Sequence, residues 1–190
     1  MPRTPRFTLA AALVAGGLAA APAAAQTGTG PALTIAAGAM RFDLLGSGGA
    51  ASFAFRADFP LPEGLRVEAS AMTAWPKEET GRSSLLLREG QVQAQLPLGG
   101  VAPYVGAGVG YATVYRGLDG DGDSLTRSFL TLSAAAGARV PLSGRFSGVV
   151  DGRVHGFGPS FEKSTAELSV GLRIFLGGDD HKPAASPDAQ

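Results

Sequence analysis

The segment Ala166–Leu176, AELSVGLRIFL, alternates between apolar side chains and side chains that are mostly polar or small. Because successive side chains of a β-strand point to opposite faces, this period of two predicts a strand with one apolar face. The apolar set is Ala166, Leu168, Val170, Leu172, Ile174 and Leu176, and the opposite set is Glu167, Ser169, Gly171, Arg173 and Phe175.

Seven further segments upstream show the same alternation. A tilted strand needs about 9–11 residues to cross the hydrocarbon of a bilayer, and most of these segments reach that length. Together they predict an all-β fold, an eight-stranded antiparallel up-and-down transmembrane β-barrel. The predicted strands are Leu33–Asp43, Ala51–Phe59, Leu65–Trp75, Leu85–Leu96, Pro103–Tyr115, Ser128–Val140, Phe146–Phe157 and Ala166–Leu176.

The connections between these segments alternate in character. Three are short and similar: Pro60–Gly64 (PLPEG), Pro97–Gly100 (PLGG) and Pro141–Gly144 (PLSG). Proline is predicted to end each strand because it lacks a ladder donor, and glycine permits a tight reversal. Short periplasmic turns that alternate with longer external loops are typical of outer-membrane barrels. The predicted external loops are Leu44–Ala50, Pro76–Ser84, Arg116–Arg127 and Gly158–Thr165.

The start of the chain is typical of an exported protein. Arg3 and Arg6 precede the apolar stretch Leu9–Ala20, and Ala23–Ala25 offers a small-residue cleavage site. We therefore expect a signal peptide at residues 1–25, the barrel at 26–176 and a disordered periplasmic tail at 177–190. The expected location is the outer membrane of a Gram-negative bacterium.

Composition excludes several classes of protein. The 16 basic and 16 acidic side chains balance, so no nucleic-acid partner is predicted. The absence of cysteine excludes a disulfide scaffold and thiolate metal sites. After the leader there is no apolar run of about 20 residues, which a membrane-spanning helix would need. In a membrane, the mature chain is therefore expected to form a closed barrel.

The same alternation fits a soluble, lipocalin-like barrel, in which the apolar faces line a ligand cavity. The membrane arrangement is favoured by complete apolar rows and by glycines on the opposite face of the segment Pro103–Tyr115. Aromatic residues toward the strand ends also favour it, because they would form girdles at the two interfaces. The predicted girdles contain Phe59, Tyr104 and Phe146 at one rim, and Trp75, Tyr111, Tyr115 and Phe157 at the other.

Three stretches resemble the small eight-stranded outer-membrane β-barrel family, the OmpA/OmpX-like barrel domain. They are Pro103–Ala112 (PYVGAGVGYA), Ala138–Val154 (ARVPLSGRFSGVVDGRV) and Ser169–Leu176 (SVGLRIFL). The resemblance covers most of residues 31–176. It implies a monomer surrounded by outer-membrane lipid and lipopolysaccharide, with the barrel-assembly machinery as a partner during insertion.

The closing segment is similar to the signal that this machinery reads in the family. The matching positions are Ser169, Gly171, Ile174 and Leu176. The segment departs from the pattern because it ends on Leu176, where the family prefers an aromatic residue, and because residues 177–190 follow it.

If the apolar faces meet lipid, eleven titratable side chains point into the lumen. The interior of an eight-stranded barrel is just wide enough for side chains to fill it. Buried charges cost several kcal/mol each unless they are paired and hydrogen-bonded. Five basic and five acidic groups with one histidine therefore predict a plugged, salt-bridged lumen rather than a conducting pore. They are Arg56, Asp58, Arg66, Glu68, Glu89, Arg139, Asp151, Arg153, His155, Glu167 and Arg173.

Two motifs contain residue types that could support hydrolysis or metal binding. His155 with Ser160 and Glu162 could form a hydrolytic set. Outer-membrane lipid A deacylases, however, carry serine at the position that Phe157 occupies here. The loop LDGDGDS (118–124) resembles the start of a calcium loop but lacks the later glycine and glutamate of an EF-hand. No catalytic, cofactor-binding or metal-binding residue is therefore predicted.

The expected function is non-enzymatic: envelope integrity, or surface interaction through the external loops. Three alternatives stay open. One is an OmpW-like barrel that passes small apolar molecules into the membrane. The second is a lipid A-modifying enzyme, and the third is a soluble periplasmic lipocalin-like binder.

Overall fold

The computed structural model describes residues 30–42, 48–78, 81–96, 98, 100–117, 124–158, 160 and 163–176. Nearly all of these residues belong to eight strands. The strands are β1 (Ala32–Phe42), β2 (Gly49–Pro60), β3 (Leu65–Glu78), β4 (Gly81–Gln95), β5 (Ala102–Gly117), β6 (Ser124–Ser143), β7 (Phe146–Phe157) and β8 (Lys163–Phe175).

The sheet closes into a barrel. Each strand pairs antiparallel with the next along the chain, and β1 pairs antiparallel with β8. The strands are staggered around the barrel. A path that starts at Ala32 and passes from each residue to its partner on the next strand returns to β1 at Phe42, not at Ala32. The strands must therefore tilt against the barrel axis. The predicted eight-stranded antiparallel barrel is confirmed. No helix in the described segments is long and apolar enough to cross a membrane.

The apolar faces of the strands form the outside of the barrel. On β8, Leu168 and Val170 are 58% and 51% exposed, whereas Glu167, Ser169 and Arg173 are buried. On the other strands too the outward rows are mainly apolar, and the buried charged side chains lie on inward rows. The lipocalin-like alternative, in which the apolar faces line a cavity, is therefore wrong.

Strands β3 to β6 run further than the alternation predicted. The expected loop Pro76–Ser84 is wrong, because β3 continues to Glu78 and β4 begins at Gly81. Likewise, β5 ends at Gly117 and β6 begins at Ser124, within the expected loop Arg116–Arg127. Beyond the membrane both faces of a strand are polar, so the alternation disappears although the ladder of hydrogen bonds continues.

The turns at the opposite end differ in detail from the prediction. Pro141 was expected to end its strand, but β6 runs to Ser143, with a register shift between Pro141 and Ser143. A bulge accommodates proline because the ladder is already interrupted there. The reversal itself falls on Gly144, whose φ of 48° favours glycine.

Two of the predicted girdle residues face the interior instead. Tyr104 and Phe157 are only 3% and 4% exposed. Both lie near strand ends, as predicted, but their position in the alternation is that of the inward rows. Parity along the strand, not distance from its end, therefore decides the face. The remaining girdle residues are exposed: Phe59, Trp75, Tyr111, Tyr115 and Phe146.

Several predictions concern residues outside the described segments. They are the signal peptide at 1–25, the tail at 177–190, and the aspartates 119, 121 and 123 of the acidic loop.

Glycines on the inner face of β5 let the wall of the barrel pack closely. A Cβ atom at Gly110 would collide with the backbone oxygen of Arg88 and lie 2.9 Å from the Cα of Glu89. Gly90, on the outer face of β4, has nothing within 4 Å of the same position.

We predict that Gly110→Ala lowers the free energy of unfolding by about 1–3 kcal/mol, because the backbone of β4 must shift. Gly90→Ala is the matched control and should be neutral or slightly stabilising. Urea unfolding of both variants in lipid vesicles measures the difference. Equal midpoints for the two variants would show that the predicted close packing of β5 against β4 is absent.

Candidate functional site

The inner face of the barrel is the candidate site. The structure buries all eleven lumen residues named from the sequence and places them on inward rows of β2, β3, β4, β6, β7 and β8. They are Arg56, Asp58, Arg66, Glu68, Glu89, Arg139, Asp151, Arg153, His155, Glu167 and Arg173.

Near the periplasmic end, Asp58 of β2 accepts hydrogen bonds from two arginines. Arg173 of β8 donates from Nε at 3.0 Å and from Nη2 at 2.7 Å, so this contact is bidentate. Arg66 of β3 donates from Nε to the same carboxylate and from Nη2 to the backbone oxygen of Gly30, at 2.9 Å. Bidentate arginine–carboxylate pairs are among the stronger hydrogen-bonded contacts in proteins. This cluster ties together the strands around the closure of the barrel.

In the middle of the lumen, Arg153 of β7 reaches the opposite wall. Its Nη2 donates to Glu68 Oε1 of β3 at 2.7 Å, and its Nε donates to Asp151 Oδ1 at 2.7 Å. Its Nη1 lies 3.6 Å from Glu89 Oε1 of β4. In a ring of eight strands β3 and β7 face each other. The Arg153 side chain therefore crosses the lumen.

Asp151 is a second centre of the network. Besides Arg153, it accepts a hydrogen bond from the hydroxyl of Tyr104 and lies 3.4 Å from Nη1 of Arg56. Arg56 in turn donates from Nη2 to Ser169 Oγ at 3.0 Å. Three strands, β2, β5 and β7, meet at this carboxylate, and Arg56 extends the network to β8.

The neutral members of the network were missed when the charged residues were selected from the sequence. Gln93 donates to Glu68 Oε2 at 3.0 Å and to Gln91 Oε1 at 2.9 Å, and it accepts from Arg139. Arg139 also stacks on the ring of Tyr104, 4.2 Å from its centroid. These residues lie on the same inward rows as the charges, which is the face that their parity along β4 and β5 predicts.

His155 lies among acidic groups. Its Nδ1 is 3.1 Å from Glu89 Oε2, and its Nε2 is 3.9 Å from Glu167 Oε2. Ser160 is exposed, whereas His155 is buried, and residue 162 lies outside the described segments. The next inward residue on β7 is the buried Phe157. The described contacts of His155 are therefore those of an ion-paired lumen residue.

The external half of the lumen contains a cluster of apolar side chains, which the alternation did not predict. On β4, Leu85 and Leu87 share the inward row with Glu89, yet the run Leu85–Leu87 is apolar on both faces and hides this parity. Side chains from five other strands contribute to the same buried cluster. Its larger members are Met40, Phe42, Met72, Leu85, Leu87 and Phe157, with Val114 and Phe129 packed against them.

No group of three or more His, Cys, Asp or Glu side chains in the described part of the chain could hold a metal ion. The lumen carboxylates instead lie within 4 Å of arginine or histidine nitrogens.

Several solved outer-membrane proteins share this architecture. Neisserial surface protein A matches with a TM-score of 0.64 at 18% identity, over 77% of this chain and 96% of that one. Ail, the attachment invasion locus protein of Yersinia pestis, matches with a TM-score of 0.53 at 15% identity, over 76% and 99%. OprG of Pseudomonas aeruginosa matches with a TM-score of 0.52 at 14% identity, over 77% and 97%. At these identities the matches show a shared fold.

No curated protein sequence matches the chain significantly. Residues 10–173, however, match the sequence profile of the outer membrane protein beta-barrel domain. The match confirms the resemblance and the outer-membrane location predicted from the sequence. Because it spans most of the chain, this protein belongs to the outer membrane protein beta-barrel domain family.

Proposed function

We propose that this protein is a non-conducting outer-membrane barrel that serves envelope integrity or surface interaction and carries out no catalysis. The observation that carries the proposal is the Arg153 side chain, which crosses from β7 to Glu68 on the opposite wall and is held on its own strand by Asp151. An ion could pass this level only by displacing paired, buried charges.

Charge balance supports a plugged lumen. Five arginines and five carboxylates are buried in the interior. Every one of these carboxylates lies within 4 Å of an arginine or histidine nitrogen. Removing one partner of such a pair leaves an uncompensated charge at low dielectric, which is strongly unfavourable. Separation of these ion pairs is therefore unfavourable, and the lumen stays blocked by their side chains.

The apolar cluster in the external half of the lumen supports the same conclusion. Met40, Phe42 and Phe157 offer no hydrogen bonds to water or to a passing ion. Apolar constrictions in channels close by excluding water. The lumen thus contains two barriers in series, one apolar and one ionic.

The surroundings of His155 support a non-catalytic role. Its Nδ1 faces Glu89, and its Nε2 has no hydrogen-bond partner among the described residues. A hydrolytic histidine needs a hydroxyl nucleophile within hydrogen-bond reach. We therefore assign no catalytic, cofactor or metal role to the lumen.

The proposed partners are those of an envelope protein. Outer-membrane lipid and lipopolysaccharide surround the barrel, and the barrel-assembly machinery reads β8 during insertion. On β8 and just beyond it, Ser169 and Gly171 lie on the inward row, whereas Ile174 and Leu176 lie on the outward row. Surface interaction would use the extended ends of β3 to β6, where Tyr115, Thr126 and Arg127 are exposed. We propose that the barrel acts as a monomer.

We predict no channel openings when the purified protein is inserted into a planar lipid bilayer, because both barriers must open before an ion can cross. A general porin reconstituted in the same way is the positive control. Stable single-channel currents from this protein would contradict the plugged lumen and favour the transport alternative.

We further predict that Arg153→Ala lowers the free energy of unfolding by about 3–5 kcal/mol, because Glu68 and Asp151 each lose a buried partner. Arg145→Ala is the matched control. It removes the same side chain from the exposed periplasmic turn and should change stability by less than about 0.5 kcal/mol. Urea unfolding in lipid vesicles provides the measurement.

The contact between Glu68 and Arg153 predicts a second result of the same unfolding experiment. Glu68→Ala combined with Arg153→Ala should destabilise the barrel by clearly less than the sum of the single variants. Additive losses would mean that the two side chains do not interact across the lumen.

A further inference from the structure

The lipid-facing surface of the barrel carries an arginine on the outward row of β4. Arg88 lies on the outward row of β4, opposite in parity to the buried Glu89, and it is exposed. Its cross-strand neighbours are Ala71 on β3 and Tyr111 on β5. It makes no hydrogen bond or ion pair with another residue of the described segments.

Arg88 lies within the lipid-facing belt, the ring of outward apolar side chains between Leu96 at the periplasmic end and Leu86 at the external end of β4. Val92 lies below Arg88 on the same row, and Leu86 lies about 5 Å above it. Arg88 is thus in the external half of the belt. A charged side chain on the lipid face is costly there, and its long stem can direct the guanidinium toward the interface.

A hydroxyl-bearing side chain lies near Arg88 on each adjacent strand. Tyr111, on β5, is 61% exposed. Thr73 also faces outward, on β3, where it pairs with Leu86 and so lies diagonal to Arg88. We call Thr73, Arg88 and Tyr111 the β3–β5 patch. Followed through the strand registers, the outward residues near this level on the other strands are apolar, namely Ala39, Phe53, Leu132, Val154 and Ala166.

Small residues leave the guanidinium accessible from the lipid. Gly90 is the next residue after Arg88 on the same outward row, on the periplasmic side, and Ala71 lies directly across on β3. Neither can cover the side chain of Arg88. A ligand in the membrane can therefore approach the patch from the side.

We propose that the β3–β5 patch binds a phosphate group of lipid A in the external leaflet. The guanidinium presents paired N–H donors that match two phosphate oxygens, and the hydroxyls of Tyr111 and Thr73 add further donors. The acyl chains of the same lipid would lie along the apolar rows below, over Val92 and Val109. The site does not depend on closure of the lumen.

The sole tryptophan of the chain, Trp75, provides a probe for binding. It is exposed on the outward row of β3, two residues beyond Thr73. In phosphatidylcholine vesicles, energy transfer from Trp75 to dansyl-labelled bis-phosphorylated lipid A reports occupancy, and unlabelled lipid A competes. We expect Arg88→Gln to weaken the apparent affinity about tenfold, as loss of a charge-assisted contact predicts. Arg88→Lys should retain part of the affinity, and Tyr111→Phe should lose less than Arg88→Gln.

The matched control is Arg145→Gln, which removes the same charge at the periplasmic turn and should bind like the wild type. Vesicles that contain phosphatidylglycerol instead of lipid A separate recognition of lipid A from general attraction to anionic lipid. Equal binding of the two lipids, or equal affinities of Arg88→Gln and Arg145→Gln for lipid A, would overturn the proposal.

A stability measurement separates lipid binding from a structural role of Arg88. In phosphatidylcholine alone, Arg88→Gln should be at least as stable to urea as the wild type, since an unpartnered arginine on the lipid face is unfavourable. With lipid A present, the wild type should gain stability and Arg88→Gln should gain little. A loss of stability in both lipids would show that Arg88 supports the barrel itself.

Discussion

The pairing of β1 with β8 is the constraint on which the rest of this structure depends. Hydrocarbon offers no hydrogen bonds, so every backbone N–H and C=O of a spanning sheet must find a partner within the sheet. The register from Ala32–Phe175 to Phe42–Thr165 provides those partners and leaves no free edge. With eight strands and this stagger, the enclosed space is so narrow that the barrel must fill it with its own side chains.

That narrow space explains the chemistry of the interior. Long arginines reach across it, and the glycines Gly106 and Gly108 of β5 leave space for the side chains of Gln91 and Gln93. The side chains separate along the axis into an ionic lower part and an apolar upper part. In the lower part carboxylates meet guanidinium groups, and in the upper part Met40 and Phe42 meet other apolar side chains.

Parity along the strands carried most of what the sequence revealed. The alternation at Ala166–Leu176 predicted the strand and both of its faces, and the same rule placed every lumen charge. It could not predict the ends of β3 and β4, where both faces are polar. Nor could it predict the apolar inward pair Leu85 and Leu87, because their neighbours are apolar too. The choice of ionic partners was equally hidden, since it depends on register between strands far apart in the chain.

The contacts between β2 and β8 have a consequence for how the chain folds. Asp58 and Arg173 are separated by 115 residues, and Arg56 and Ser169 by 113. These pairs span almost the whole barrel domain, so they form only when the last strand has arrived. A fragment without β8 leaves Asp58 short of its bidentate partner, and it lacks the closing ladder as well. Such high contact order makes folding slow, because the barrel closes only when the first and last strands have come together.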